Sequence, residues 1–133
     1  MLVDTSAAVP FLVADHDAHV TTWDALQART LGLAGQAWFE TFSVLTRLPG
    51  AARRDAATVS RLLSANFAQS RFLDEEATAS LTGELAVKGI SGGAVYDALV
   101  AASAAHHRLP LATRDRRAAE TYRVFAVEVE LLV

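Results

Sequence analysis

Two aspartates of this 133-residue chain lie at the ends of short, mostly apolar runs, a position from which a carboxylate can bind a metal ion. Asp4 follows Met1–Val3, and Asp115 follows Leu111–Thr113 with one residue between. Each run predicts a strand, so each carboxylate would lie at a strand's carboxyl end. An ordinary turn or helix-cap aspartate gives the same local pattern, and for Asp115 that alternative is slightly favoured.

Asp97 has the most informative surroundings of any acidic residue in the chain. It is the only charged residue between Gly89 and His107, and its predicted helix is apolar nearly all round, which is typical of a buried helix. An unpaired buried carboxylate costs several kcal/mol, which a bound divalent cation would remove. The alternative is that the helix dipole holds the anion in the first turn, but that effect contributes only about 0.3–1 kcal/mol.

Glu40 is a weaker candidate from local pattern. It shares one stripe of its predicted helix with Gln36, Ser43 and Arg47, while apolar side chains cover the rest. A solvated glutamate explains this pattern well. Glu40 becomes a ligand only if the polar stripe lines a groove.

The elements that must position these acids alternate between short apolar runs and longer helical patterns. Strands are predicted at Met1–Asp4, Thr30–Ala34, Arg71–Leu73, Pro110–Thr113 and Arg123–Leu132. Helices are predicted at Asp15–Gln27 (with Asp15 as N-cap), Gln36–Leu48, Asp55–Phe67, Glu75–Lys88, Ala94–His107 and Arg116–Thr121. The alternation predicts a single α/β domain over residues 1–133 with a mainly parallel sheet. Ligands of such sheets gather beyond the carboxyl ends of the strands, where the acids would meet.

Composition narrows the class of protein and of metal. Apolar residues make up 52% of the chain, which is enough for a folded core. There is no cysteine, so disulfides and thiolate metal sites are excluded. Oxygen ligands suit hard cations such as Mg²⁺ or Mn²⁺. The N-terminus lacks the pattern of a secretion signal. The longest uncharged stretches have half of the roughly 20 residues that a membrane-spanning helix needs. We therefore expect a cytoplasmic protein without a membrane segment.

The four acids lie in four short motifs that follow one another across essentially the whole chain. These motifs are Leu2–Ser6, Trp38–Thr41, Tyr96–Ala102 and Thr113–Asp115. In their order and spacing they resemble the PIN-domain ribonucleases, and within them the toxins of bacterial VapBC toxin–antitoxin pairs.

The resemblance implies a site, an activity and a fold. The four acids would form one cluster that binds one or two Mg²⁺ or Mn²⁺ ions, with Asp4 and Asp97 as the principal ligands and Thr5, Ser6 and Thr113 as supporting polar groups. The activity would be endonucleolytic hydrolysis of RNA phosphodiester bonds by a type II toxin. The fold would be a PIN-like three-layer α/β/α sandwich with a five-stranded parallel sheet. A homodimer and inhibition by a VapB-like antitoxin are also implied.

An acidic pocket would repel RNA unless cations lie beside it. Arg114, together with Arg116 or Arg117, is a hypothesis for residues that hold the substrate's phosphates. The alternative is that these arginines form a solvated helix face, which is the commoner role of a charged run.

Two other classes of function are compatible with the predicted sheet. A catalytically silent RNA- or antitoxin-binding module would keep the fold, although the intact acids argue against it. A receiver domain or a related phosphoryl-transfer enzyme could use Asp4 as phosphoacceptor. However, Thr5 and Ser6 stand where those enzymes need a second acid, and the sole lysine is Lys88.

Overall fold

Four short parallel strands form the central sheet in the computed structural model, which describes residues 1–133. The strands are β1 (Leu2–Val3), β2 (Gly32–Leu33), β3 (Leu111–Thr113) and β4 (Val129–Leu131). Their order across the sheet is β2-β1-β3-β4, so the N-terminal strand lies between two strands that come later in the chain. Leu2 is opposite both Gly32 and Leu111, which brings the ends of β1 and β3 to one edge.

The expected five-stranded sheet is corrected to four strands and one isolated bridge. The segment Arg71–Leu73 contributes only the parallel pairing of Ala34 with Arg71. The last strand is also shorter than predicted, because the preceding helix continues to Val124 and pairing begins only at Val129.

Seven α-helices flank the sheet. They are α1 (Thr5–Leu12), α2 (His19–Leu26), α3 (Gln36–Thr46), α4 (Ala56–Asn66), α5 (Glu75–Lys88), α6 (Ala94–His107) and α7 (Arg116–Val124), with a short 3-10 helix at Gly50–Ala52. Helices α5 and α6 have the predicted boundaries. Helix α1 was not predicted, and α2 begins after Ala18, so the assignment of Asp15 as its N-cap was wrong.

Buried apolar side chains from the sheet and the helices form one core cluster. All residues of β1 and β3 are buried, as a parallel sheet covered on both faces requires. The expected α/β/α sandwich with a parallel sheet is therefore confirmed. None of the helices is long and apolar enough to cross a bilayer.

Gly32 of β2 shows how tightly the sheet edge is packed. A Cβ atom built at this position would lie 2.1 Å from the carbonyl oxygen of Gln69, a backbone atom that cannot swing away. Only glycine fits there, because any side chain would force β2 and the Gln69 segment apart.

Candidate active site

The carboxylate of Asp4 is buried at the junction of β1 and α1, with only 4% of the residue exposed. Its Oδ1 accepts hydrogen bonds from Ser6 Oγ at 2.7 Å and from the Ala7 backbone N–H at 3.2 Å. Its Oδ2 accepts from Thr113 Oγ1 at 2.5 Å and from the Tyr122 hydroxyl at 2.8 Å. Two donors on each oxygen fix the orientation of the carboxylate and offset much of its desolvation cost.

Opposing effects act on the ionisation of Asp4 and Tyr122. Burial raises the pKa of Asp4, and the hydrogen bonds from Thr113, Ser6 and Tyr122 oppose that rise only in part. Burial and the charge of Asp4 also raise the pKa of Tyr122 well above its ordinary value. The phenol therefore stays protonated and remains a donor to Asp4.

Hydroxyl groups join the end of β1 to the end of β3. Thr113 Oγ1 donates to Asp4 and accepts from the Asp115 backbone N–H at 3.0 Å. Ser6 Oγ donates to Asp4 and accepts from the Arg114 backbone N–H at 2.8 Å. Because both hydroxyl protons are used by Asp4, the 3.1 Å approach of Ser6 Oγ to Thr113 Oγ1 is a packing contact within this network.

Asp115 is the N-cap of α7, which is the alternative role that the sequence indicated for this residue. Its Oδ1 accepts from the backbone N–H groups of Arg117 at 2.8 Å and Ala118 at 3.1 Å. The other carboxylate oxygen has no hydrogen-bond partner within the chain, and the residue is exposed. One Asp115 carboxylate can thus cap the helix and still offer an oxygen to a ligand.

Asp97 lies in the first turn of α6 and feels the charges of the other three acids. It is half-buried, and burial is the largest cause of its raised pKa. The negative charges of Asp115, Asp4 and Glu40 raise the pKa of Asp97 further, in that order. Glu40 is exposed on α3 and, with Asp97, lines an open cavity of about 540 Å³. Four elements that are distant in sequence therefore bring four acids within electrostatic reach of one another.

The sequence model of the PIN domain matches residues 1–124. The chain belongs to the PIN-domain family. It is 49% identical over 131 residues to Ribonuclease VapC27 of Mycobacterium tuberculosis, an alignment that covers 97% of this chain and 94% of that protein. It is 41% identical to Ribonuclease VapC40 of the same species, over 97% of this chain and 96% of that protein. The resemblance to VapC-type PIN domains is confirmed.

Solved structures agree on the fold of this PIN domain. The crystal structure of VapBC2 from Rickettsia felis bound to a promoter DNA fragment contains a chain that matches with a TM-score of 0.68 at 15% identity, covering 99% of this chain and 98% of that one. A chain of FitAcB from Neisseria gonorrhoeae matches with a TM-score of 0.66 at 21% identity, covering 96% and 94%. At these identities the likeness supports the fold alone.

The acidic side chains of this PIN domain are not arranged as a complete metal-binding site. No group of three or more Asp, Glu, His or Cys residues is close enough to hold a metal ion. Carboxylates repel one another, and the side chains of Glu40 and Asp97 make no contact that draws them inward. The donor set nevertheless fits a hard divalent cation, because it is all oxygen and because a cation would relieve the repulsion that raises the pKa of Asp97.

The three candidate arginines have different surroundings. Arg114 Nη1 donates to the hydroxyls of Thr22 at 3.2 Å and Thr21 at 3.4 Å, so its guanidinium contacts α2. Arg116 and Arg117 are exposed at the start of α7. The positive charge of Arg117 lowers the pKa of Asp97 against the effects of burial and the neighbouring acids, so Arg117 lies within electrostatic reach of Asp97.

Two hydroxyl groups near Asp4 have partners that the sequence motifs do not indicate. Thr5 Oγ1 accepts a hydrogen bond from Thr41 Oγ1 at 3.4 Å and makes none to the Asp4 carboxylate. Tyr122, which contacts Asp4 directly, was not singled out from the sequence. Helical spacing becomes a signal only when α7 extends beyond its predicted end at Thr121, because Tyr122 then lies two turns after Asp115 on the same face.

Proposed function

We propose that this PIN domain is a divalent-metal-dependent endoribonuclease and the toxin of a type II toxin–antitoxin pair. The observation that carries the proposal is that Asp115, Asp4 and Glu40 lie close enough to Asp97 for their charges to add to the effect of burial, which is the larger cause of the raised pKa of Asp97. Identity of 49% to a protein named Ribonuclease VapC27 supports the same reaction. We propose the cytoplasm, where RNA is available, as its location.

The four acids would hold one or two Mg²⁺ or Mn²⁺ ions, with Asp4 and Asp97 as the principal ligands. Such an ion, when bound, supplies Lewis-acid stabilisation of the charge that builds on the phosphate and lowers the pKa of water. The hydrogen bonds to Asp4 keep its oxygens in one orientation, so that little reorganisation is needed on binding. Glu40, exposed at the cavity wall, would orient the attacking water.

The chain also offers groups that can hold the rest of the phosphodiester. The free oxygen of Asp115 would complete the acidic site, with the helix-capping oxygen holding that side chain in place. Arg116 and Arg117 would bind phosphates that flank the cleaved bond. Arg114 would bind phosphate only after its guanidinium leaves Thr21 and Thr22, so its contribution is the smallest of the three.

The partners we propose are an RNA substrate, a VapB-like antitoxin and a second copy of the chain. Similarity to VapC proteins over nearly the whole length supports the antitoxin. A search for a short reading frame adjacent to its gene, co-expression with its product and light scattering of the purified complex would measure both the association and the number of copies.

A cleavage assay tests the proposed activity. The purified chain should cleave single-stranded RNA after addition of Mg²⁺ or Mn²⁺, and EDTA should stop the reaction. Asp97→Asn should abolish cleavage, while Asp17→Asn, a change in an exposed loop, should leave it intact. RNA that binds but is never cut with either ion would instead favour the silent binding module.

A further inference from the structure

Two exposed aromatic side chains stand beside the acids. Phe39 is 63% exposed and Tyr96 is 59% exposed, which makes them the most exposed aromatic residues of the chain. Phe39 directly precedes Glu40, and Tyr96 directly precedes Asp97. Neither ring packs against another aromatic ring, whereas Phe11 stacks on Trp23 and Trp38 packs edge-on against Phe72. Both rings therefore present apolar surface to solvent next to two of the acids.

Both aromatic rings line the open cavity of about 540 Å³ that Glu40 and Asp97 also line. Gln36 and Ser43 complete its polar wall. Every buried polar side-chain atom of the chain has a hydrogen-bond partner. The polar groups of the cavity side chains make no hydrogen bonds within the chain, so they face solvent. The cavity thus combines aromatic faces with free donors and acceptors.

We propose that Phe39 and Tyr96 hold an unpaired nucleobase of the RNA next to the phosphate that is cleaved, an inference that rests on the proposed ribonuclease function. Bases stack on aromatic side chains through their π-faces whatever their sequence. The amide of Gln36 can both donate and accept, and the Ser43 hydroxyl can do the same, so these two groups suit the edge of a base.

The position of the aromatic rings limits which RNA can be cut. A base that enters the cavity must leave its helical stack, so the strand must be unpaired at that point. The phosphate of this nucleotide would then lie beside Glu40 and Asp97, because both acids line the same cavity as the two rings. Base-paired RNA is therefore excluded from this subsite.

Binding measurements on short RNAs test the subsite without depending on cleavage. The probe is a fluorescein-labelled single-stranded RNA 12-mer pool of mixed sequence, compared with the same pool annealed to its complement, in EDTA with anisotropy as the readout. Phe39→Ala and Tyr96→Ala should each weaken single-strand binding by about 5- to 150-fold and leave duplex binding unchanged. Phe39→Trp and Tyr96→Phe keep an aromatic ring and should bind as the parent chain does. Val87→Ala, an exposed apolar change on α5, is the matched control.

Three results would overturn the base-binding subsite. One is unchanged single-strand affinity in both alanine variants, and another is a parent chain that binds single strand no more tightly than duplex. The third is that the two alanine variants no longer associate with a co-expressed antitoxin but still bind RNA as the parent chain does. That result would make the cavity a protein-binding surface. Addition of Mn²⁺ to the parent chain and the same RNA tests the proposed cleavage separately, so failure of the subsite and failure of the ribonuclease function are distinguishable.

Discussion

The hydroxyl of Tyr122 donates a 2.8 Å hydrogen bond to Oδ2 of Asp4, and the contact joins residues near opposite ends of the chain. Tyr122→Phe removes that donor and leaves the ring in the core. We expect the free energy of unfolding to fall by about 1.5–3 kcal/mol, the range for a hydrogen bond to a charged group. We also expect weaker stabilisation by Mn²⁺, because Asp4 would be less firmly oriented. Urea unfolding with and without Mn²⁺ measures both effects.

Tyr96→Phe is the matched control for Tyr122→Phe. The Tyr96 hydroxyl is exposed and has no partner in the chain, so its removal should change stability by less than about 0.5 kcal/mol. Equal stability of the two variants would show that the Tyr122 hydroxyl does not support Asp4.

The sheet and most helices could be predicted because their patterns are local. Helix α1 could not, because Thr5–Leu12 is almost entirely apolar and contains Pro10, which usually ends a helix. Five consecutive residues of α1, from Ala7 to Phe11, are buried, so tertiary packing outweighs the proline there. At the other end of the chain, Thr121–Phe125 is rich in β-branched and aromatic residues and resembles a strand, yet α7 continues to Val124.

The site could be predicted only as a set of candidate residues. The motifs proposed the four acids: Asp4 and Asp115 follow strand ends, Asp97 lies at a helix start, and Glu40 lies on a polar stripe within α3. The hydrogen bond from Tyr122 to Asp4 could not be predicted, since it depends on how α7 packs against β1. The turn of the Arg114 guanidinium toward Thr22 is likewise set by the packing of α2, which no local pattern encodes.

Asp115 should have separable capping and catalytic roles. Asp115→Asn keeps a good N-cap, so the free energy of unfolding should change by no more than about 0.5 kcal/mol. Cleavage should still fall at least about 10-fold, because a charged ligand of the proposed metal is lost. Asp115→Ala should in addition lose about 1 kcal/mol of stability with the hydrogen bonds to Arg117 and Ala118. Full cleavage by the asparagine variant, measured beside urea unfolding, would leave Asp115 as a helix cap alone.

The ionised carboxylate of Asp97 should destabilise the folded state at neutral pH. Its pKa is raised in the folded state by burial and by the neighbouring acids, so the folded state binds its proton more tightly than the unfolded state does. Stability is therefore lost as pH rises from the ordinary value of 3.8 through the raised pKa, and the cost is complete above it. Asp97→Asn in EDTA should unfold at a higher temperature than the parent chain at pH 7.

The gain from Asp97→Asn should disappear as the pH is lowered well below 3.8, toward about 3, where the wild-type carboxyl is largely protonated in both states. Thermal unfolding across this pH range, with Asp17→Asn as a control for the loss of one exposed charge, measures the difference. A gain that is the same at pH 3 and pH 7 would mean that ionisation of the Asp97 carboxyl is not its cause.

Arg117 should contribute to RNA affinity through its charge rather than to folding. It is exposed, it lies outside the three salt bridges of the chain, and its charge already acts on Asp97. If it holds one phosphate, Arg117→Ala should reduce the slope of log affinity against log salt by about 0.7, the value for one contact to a single strand. Arg117→Lys should keep that slope, because a lysine still neutralises the phosphate. Arg61→Ala, an exposed arginine on α4, is the control that should leave it unchanged. If Arg117→Ala and Arg61→Ala give the parent slope in a salt titration with uncleavable RNA, Arg117 belongs to a solvated helix face.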